Sequence, residues 1–279
     1  MSVLLAARPA AGMLAAVEYG GEFQVPSIDE LFVWPPYFWS ANWNIFGIPA
    51  YVNRVVLLMF VAVGLSAAIF LIAFGKPKLV PTKLQVACEA FIDFIREQIA
   101  EQLLGPRGLP WLPLLVTIFV FVFVNNAFEI VPLIQFPPTS KIALPFFLAT
   151  MVWLIFVVVG MVHQGPFGYF KNMAFPPGLP KALYVLYAPI EVASVLIVRP
   201  LTLTIRLMAN MLAGHIILTT IFVVCHVFLA LRPGLLVGLV GLAFAPVMDG
   251  FELVIGILQA YIFTILTAVY IADSMYAEH

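Results

Sequence analysis

Charge is what this sequence has least of. Its 279 residues include 13 Lys and Arg and 14 Asp and Glu, so that 10% of the chain is charged and the net charge is −1. A soluble domain carries about 25% charged residues, so a soluble globular fold is excluded. The net charge gives no support to nucleic-acid binding, and no such partner is expected. Cysteine is scarce too: Cys88 and Cys225 fall in quite different segments, which rules out a disulfide framework. There is no His-Glu-x-x-His or comparable ligand set, so neither a metal nor any other cofactor is expected. His226, the one histidine that could suggest a metal beside His215, is read as an interface residue. No nucleophile–base pair is visible, which argues against an intramembrane hydrolase.

What the chain does have is apolar length. Hydrophobic residues make up 63% of it, and they fall into runs long enough to span a bilayer core, which takes about 20 residues. The reading is an all-α membrane protein of about five transmembrane helices plus one interfacial amphipathic helix, the last two helices long, tilted and antiparallel. Spans are expected near 54–74, 111–133, 144–163, 188–230 and 235–275. The last two exceed a perpendicular crossing, so strong tilt or a bend is required. Residues 1–50, with Trp34, Trp39 and Trp43 among prolines, read as a retained N-terminal extension at the outer membrane interface. Residues 51–279 read as a single transmembrane helical domain.

Residues 83–104 differ from the spans. Leu84, Ala87, Cys88, Phe91, Ile95, Ile99 and Leu103 recur at helical spacing, while Glu89, Asp93, Glu97 and Glu101 form an acidic row. Such a helix lies on the membrane or packs on a partner, and its acidic face is either solvated or a docking surface. Basic residues set the orientation. Lys76, Lys78, Lys83, Arg96, Arg107, Lys171 and Lys181 would share one side, which the positive-inside rule makes cytoplasmic. The N-terminus is then outside and the C-terminus cytoplasmic, in a bacterial plasma membrane or alternatively a mitochondrial inner membrane.

Against this background the intramembrane polar residues stand out: Glu191, Arg199, Arg206, Asn210 and His215 in one long segment, Asp249, Glu252 and Gln259 in the next. An arginine at a helix centre costs about 2.5–3.5 kcal/mol on insertion scales and cannot escape by losing its proton. Retaining Arg206 therefore points to the handling of an ion or proton. If the two segments form a hairpin about Pro233, Arg206 comes near Gln259 and His215 near Glu252, because both pairs are centred within a residue of that proline. An imidazole beside a carboxylate can hold or pass a proton, or the two can form a structural hydrogen bond. Asn126 and Glu129, near the outer end of the second span, either line an aqueous passage or simply end a helix.

These residues carry a resemblance. The chain resembles subunit a of the rotary (F-type) ATP synthase in Arg206-Leu207 with Asn210 and Ala213-Gly214, in Gln259-Ala260-Tyr261-Ile262-Phe263, and in Asn126 with Glu129 and Pro132. The likeness implies a proton-translocating stator subunit, not an enzyme on its own, with two offset half-channels. Arg206 would be the essential fixed charge, with Gln259 opposite it. Asn126, Glu129, Asn210, His215, Glu252 and Gln259 would form the proton path. Glu191 would join its exit, although it stands fifteen residues before Arg206 where the family pattern has fourteen. Implied partners are a rotor ring of small helical-hairpin subunits bearing a carboxylate, a peripheral-stalk subunit and the lipid bilayer. The alternative is a proton-coupled secondary transporter using the same charges on its own substrate.

Overall fold

A computed structural model describes residues 44–45, 48–49, 54–75, 81–131, 134–175, 184–230 and 235–275. Most of the expected extension over residues 1–50, and the Pro-Gly turn at 233–234, lie outside the described residues. The described part of the extension is a minimal antiparallel pair, β1 (Asn44–Ile45) with β2 (Ile48–Pro49), in which Ile45 faces Ile48.

Five helices are long and apolar enough to cross a membrane, as the hydropathy pattern requires. The first, α1 (Arg54–Phe74), has no acidic residue and one arginine at its start. The amphipathic segment begins with α2 (Lys83–Ile95), capped at its start by the Thr82 hydroxyl, which accepts from the Gln85 amide at 3.3 Å. It continues through wider π-type turns at Arg96–Leu104. Cys88, Ile95 and Ile99 of the predicted apolar stripe are buried, and the Phe91 ring packs 5.0 Å from that of Phe119. Leu84, by contrast, is exposed, and Leu104 rather than Leu103 is fully buried, because the wider turns rotate the later residues. The acidic row is exposed throughout.

The second span is apolar over 108–127 and contains α3 (Leu112–Ala127). It stops earlier than hydropathy suggests, in a turn at 128–130. A single tight turn, Pro138–Ser140, leads into α4 (Ala143–Gln164). Gly165, with φ of 75°, then redirects the chain into the short α5 (Pro166–Ala174), a reversal that glycine makes without steric cost. The fourth span joins α6 (Tyr184–Ala193) to α7 (Arg199–Ala230) through one π turn at Ser194–Val198. The fifth is α8 (Leu235–Met275), 41 residues long with Pro246 inside it.

The chain divides into two compact units, one of residues 1–60 and 214–252, the other of 61–213 and 253–279. In the described part of the first, Val55, Leu58 and Ala245 are buried, and the Cys225 sulfur lies where a Cβ on Gly241 would go, so α7 and α8 approach closely there. In the second, α3 and α4 contribute a core of Val, Leu and Phe, and α8 adds Phe263 and Ile271, all buried. Hydrogen bonds between α7 and α8 within this unit run antiparallel, as predicted.

Candidate functional site: polar residues in the membrane-spanning helices

In the unit of 61–213 and 253–279, three polar groupings sit among apolar side chains. The first surrounds Asn126 at the end of α3. Its amide donates to the Gly256 carbonyl of α8 at 3.2 Å, and its oxygen accepts from the Thr139 hydroxyl at 2.7 Å. Both Asn126 and Thr139 are buried. Glu129, one turn on and 4% exposed, is held by its backbone amide, which donates to the Asn126 carbonyl at 3.1 Å. A buried acid thus follows one turn after a buried amide that is fixed at both ends. A Cβ on Gly256 would stand 3.3 Å from the Asn126 Cβ, so the missing side chain is what lets the amide reach the α8 backbone. The sequence holds no signal for Thr139, since a threonine in a Pro-rich loop is ordinary.

The second grouping is Asn210 with Gln259. The Asn210 amide donates to Gln259 Oε1 at 2.8 Å. Gln259 is 1% exposed, and its own Nε2 has no hydrogen-bond partner among the described residues. An unmet buried donor costs about 1–3 kcal/mol, a penalty usually kept where a site needs the group. Asn210 itself is exposed, as is Arg206 one turn before it, while Leu203, Leu207 and Met211 turn inward and are buried. Gln259 bonds Asn210, one turn beyond the position that simple hairpin arithmetic assigns to Arg206. And Arg206 points out from the helix pair, beside exposed Leu201 and Ile205, because the inward stripe of α7 is taken by leucine and methionine.

The third grouping joins α6, α7 and α8. Arg199 Nη1 donates to Asp273 at 3.2 Å and Nη2 to Glu191 at 3.5 Å, and its guanidinium lies 5.0 Å from the centre of the Tyr270 ring. Glu191 was expected on sequence grounds and Arg199 was visible as an intramembrane cation. Asp273 was missed, because an acid six residues from the end of the chain looks like a solvated tail.

In the unit of 1–60 and 214–252, His215 and Glu252 are both buried, 8% and 4% exposed. The Glu252 carboxylate rests against Gly214, the residue before His215, and its Oε2 has no hydrogen-bond partner among the described residues. Among the described residues no three His, Cys, Asp or Glu side chains are grouped to hold a metal. The side chain of His226 lies outside the described residues.

The sequence of residues 56–272 matches the family model described as ATP synthase A chain. The chain belongs to that family. It is similar to the ATP synthase subunit a of Frankia alni, 42% identical over 265 residues that cover 92% of this chain and 91% of the relative. To the subunit a of a Parafrankia species it is 41% identical, over 96% and 88%, and to that of Rhodococcus erythropolis 38%, over 92% of each. Membership makes the chain a multi-pass membrane subunit of ATP synthase, concerned with ATP synthesis and proton transport, rather than an enzyme by itself.

Proposed function

We propose that this chain conducts protons through two offset half-channels past a rotor-ring carboxylate, with Arg206 as the fixed charge between them. Protons enter from outside by way of Glu129, His215, Glu252 and Asn210, with Asn126 and Gln259 holding the polar lining in place. They protonate a carboxylate on a ring of small helical-hairpin subunits, and the neutral acid then turns through lipid without the penalty of a bare charge. On its return it meets Arg206, whose positive charge favours the ionised form and expels the proton towards Glu191 and the cytoplasm. The same charge repels a proton attempting to run straight across. Each charge that crosses delivers about 2.3 kcal/mol per 100 mV.

The observation that carries this reading is the outward position of Arg206. A permanent cation on an exposed face, flanked by exposed Leu201 and Ile205, needs an anionic partner from another chain, and a ring carboxylate supplies it. The basic residues support a cytoplasmic C-terminus and an external N-terminus in a bacterial plasma membrane, with residues 1–50 at the outer interface and 51–279 as one membrane domain. The exposed acidic row of 89–101 suits a peripheral-stalk subunit.

The test is Arg206→Ala in the assembled complex. Coupled ATP synthesis in membrane vesicles is expected to vanish while the complex still assembles. Synthesis at the parent rate would overturn the reading.

A further inference from the structure

Glu191 and Arg199 are eight residues apart, and in a regular α-helix eight residues turn by about 800°, which leaves the two side chains about 80° out of line. They nevertheless meet at 3.5 Å. The reason lies between them: the π turn at Ser194–Val198 takes up one extra residue. With that residue absorbed, the effective separation is seven, two turns to within about 20°. Arg199 and Arg206 are also seven apart, in unbroken α-helix. The π turn therefore sets Glu191, Arg199 and Arg206 on one stripe, and it absorbs the residue by which Glu191 stands further from Arg206 than the family pattern has it.

The same guanidinium reaches across to Asp273 of α8 at 3.2 Å. The three side chains form a graded series: Arg199 is 22% exposed, Glu191 26% and Asp273 52%. The Tyr270 ring covers the guanidinium from one side, and the nearby α8 end is tied to α4 by Gln164, which donates to the Ser274 carbonyl at 3.1 Å. A fork that holds two carboxylates at once, one more open to solvent than the other, is more than a helix-end ion pair needs. Resting on the proton-path reading above, we propose that Arg199 is a positioning residue that holds Glu191 and Asp273 as a two-carboxylate relay at the proton exit. A proton received by Glu191 passes to Asp273, and the acid O–H formed there gives its proton to cytoplasmic water and reverts to a carboxylate beside the guanidinium.

The experiment uses the whole ATP synthase in inverted membrane vesicles, with the cytoplasmic face outward. Arg199→Gln and Asp273→Asn are each expected to lower ATP synthesis roughly fivefold, the scale of a part-exposed ion pair, with the amount of assembled complex unchanged. Arg199→Lys, which keeps the charge, restores at least half the parent rate. Added formate, a mobile carboxylate, raises the rate of Asp273→Asn and leaves the parent unchanged, an effect that a merely structural Asp273 could not produce. Deletion of Ile197, which turns the π turn into plain helix with the stripe intact, is tolerated within about twofold. Parent-like synthesis in Asp273→Asn, or a deficit there that formate does not relieve, overturns the proposal. Should Arg199→Gln fail to assemble, Asp273→Asn decides alone, since its half-exposed side chain is not needed for packing. Arg206→Ala in the same vesicles separates the two ideas: if it abolishes synthesis while the Asp273 result fails, only the relay is lost, whereas a parent-like Arg206→Ala removes the reading beneath it.

Discussion

Gly214 lacks a side chain because the Glu252 carboxylate occupies its place. A Cβ there would overlap the carboxylate atoms, and the flexible end of Glu252 would have to swing aside to admit it. Gly214→Ala is expected to move Glu252 and to cut ATP synthesis about tenfold or more, measured in vesicles against the amount of assembled complex. At Asn210 the prediction concerns stability. Asn210→Ala strands the buried Gln259 oxygen that now accepts from it, and should lower the thermal stability of the solubilised subunit by about 1–3 kcal/mol. Cys88 offers a chemical check. It is buried, and burial pushes its thiol above the usual value. The thiolate is the reactive form, so a raised thiol holds less of it at neutral pH. Maleimide labelling of Cys88 should be slow in the native subunit and fast once it is denatured. Sequence alone singled out Arg206, Glu252 and Gln259 as polar residues in apolar helices, because hydropathy exposes them. It could not tell which way Arg206 faces, since an outward and an inward arginine look alike in a list of residues. Nor could it supply Thr139 or Asp273, whose partners lie on other elements.

At the scale of the elements, the short α5 is docked on α4 by a glycine and a tyrosine. A Cβ on Gly160 would overlap the edge of the Tyr169 ring, and Tyr169 is itself 7% exposed. Its phenol is pushed above the ordinary value, chiefly by burial. Gly160→Val should loosen α5 by about 1–3 kcal/mol, and Tyr169→Ala in the same chain should recover part of the loss. The non-additivity would appear in a double-mutant cycle of melting temperatures. The five spanning helices were readable, because runs of some twenty apolar residues form helices in a bilayer, whereas the short α5 lies in a Pro- and Gly-rich segment that gave no helix signal. Their register was not: the hairpin arithmetic assumes straight helices, and the Asn210–Gln259 bond sits a turn away from it. The π turn before Arg199 left one trace, the extra residue between Glu191 and Arg206, but spacing alone does not say how a helix absorbs it.

For the molecule as a whole, the predicted contacts are with other chains. Large apolar side chains such as Phe60, Ile72, Val162 and Val185 are more than two-thirds exposed, as lipid-facing residues should be. On α7, Ile205 is 45% exposed and Leu207 is fully buried, two positions apart. If the exposed face meets a ring subunit, a cysteine at 205 should form a disulfide with one placed on the outer ring helix, and a cysteine at 207 should not. Equal cross-linking at both would mean that α7 turns a different side to its neighbour.

The length of α8 has one more consequence. Forty-one residues follow about 60 Å of contour, twice the roughly 30 Å of hydrocarbon available to them. A helix that stays within that layer rises by half of its own contour on average, so each turn of about 5.4 Å gains about 2.7 Å of depth. A charge carried one turn along such a helix crosses about a tenth of the transmembrane voltage, where an upright helix would give about a fifth.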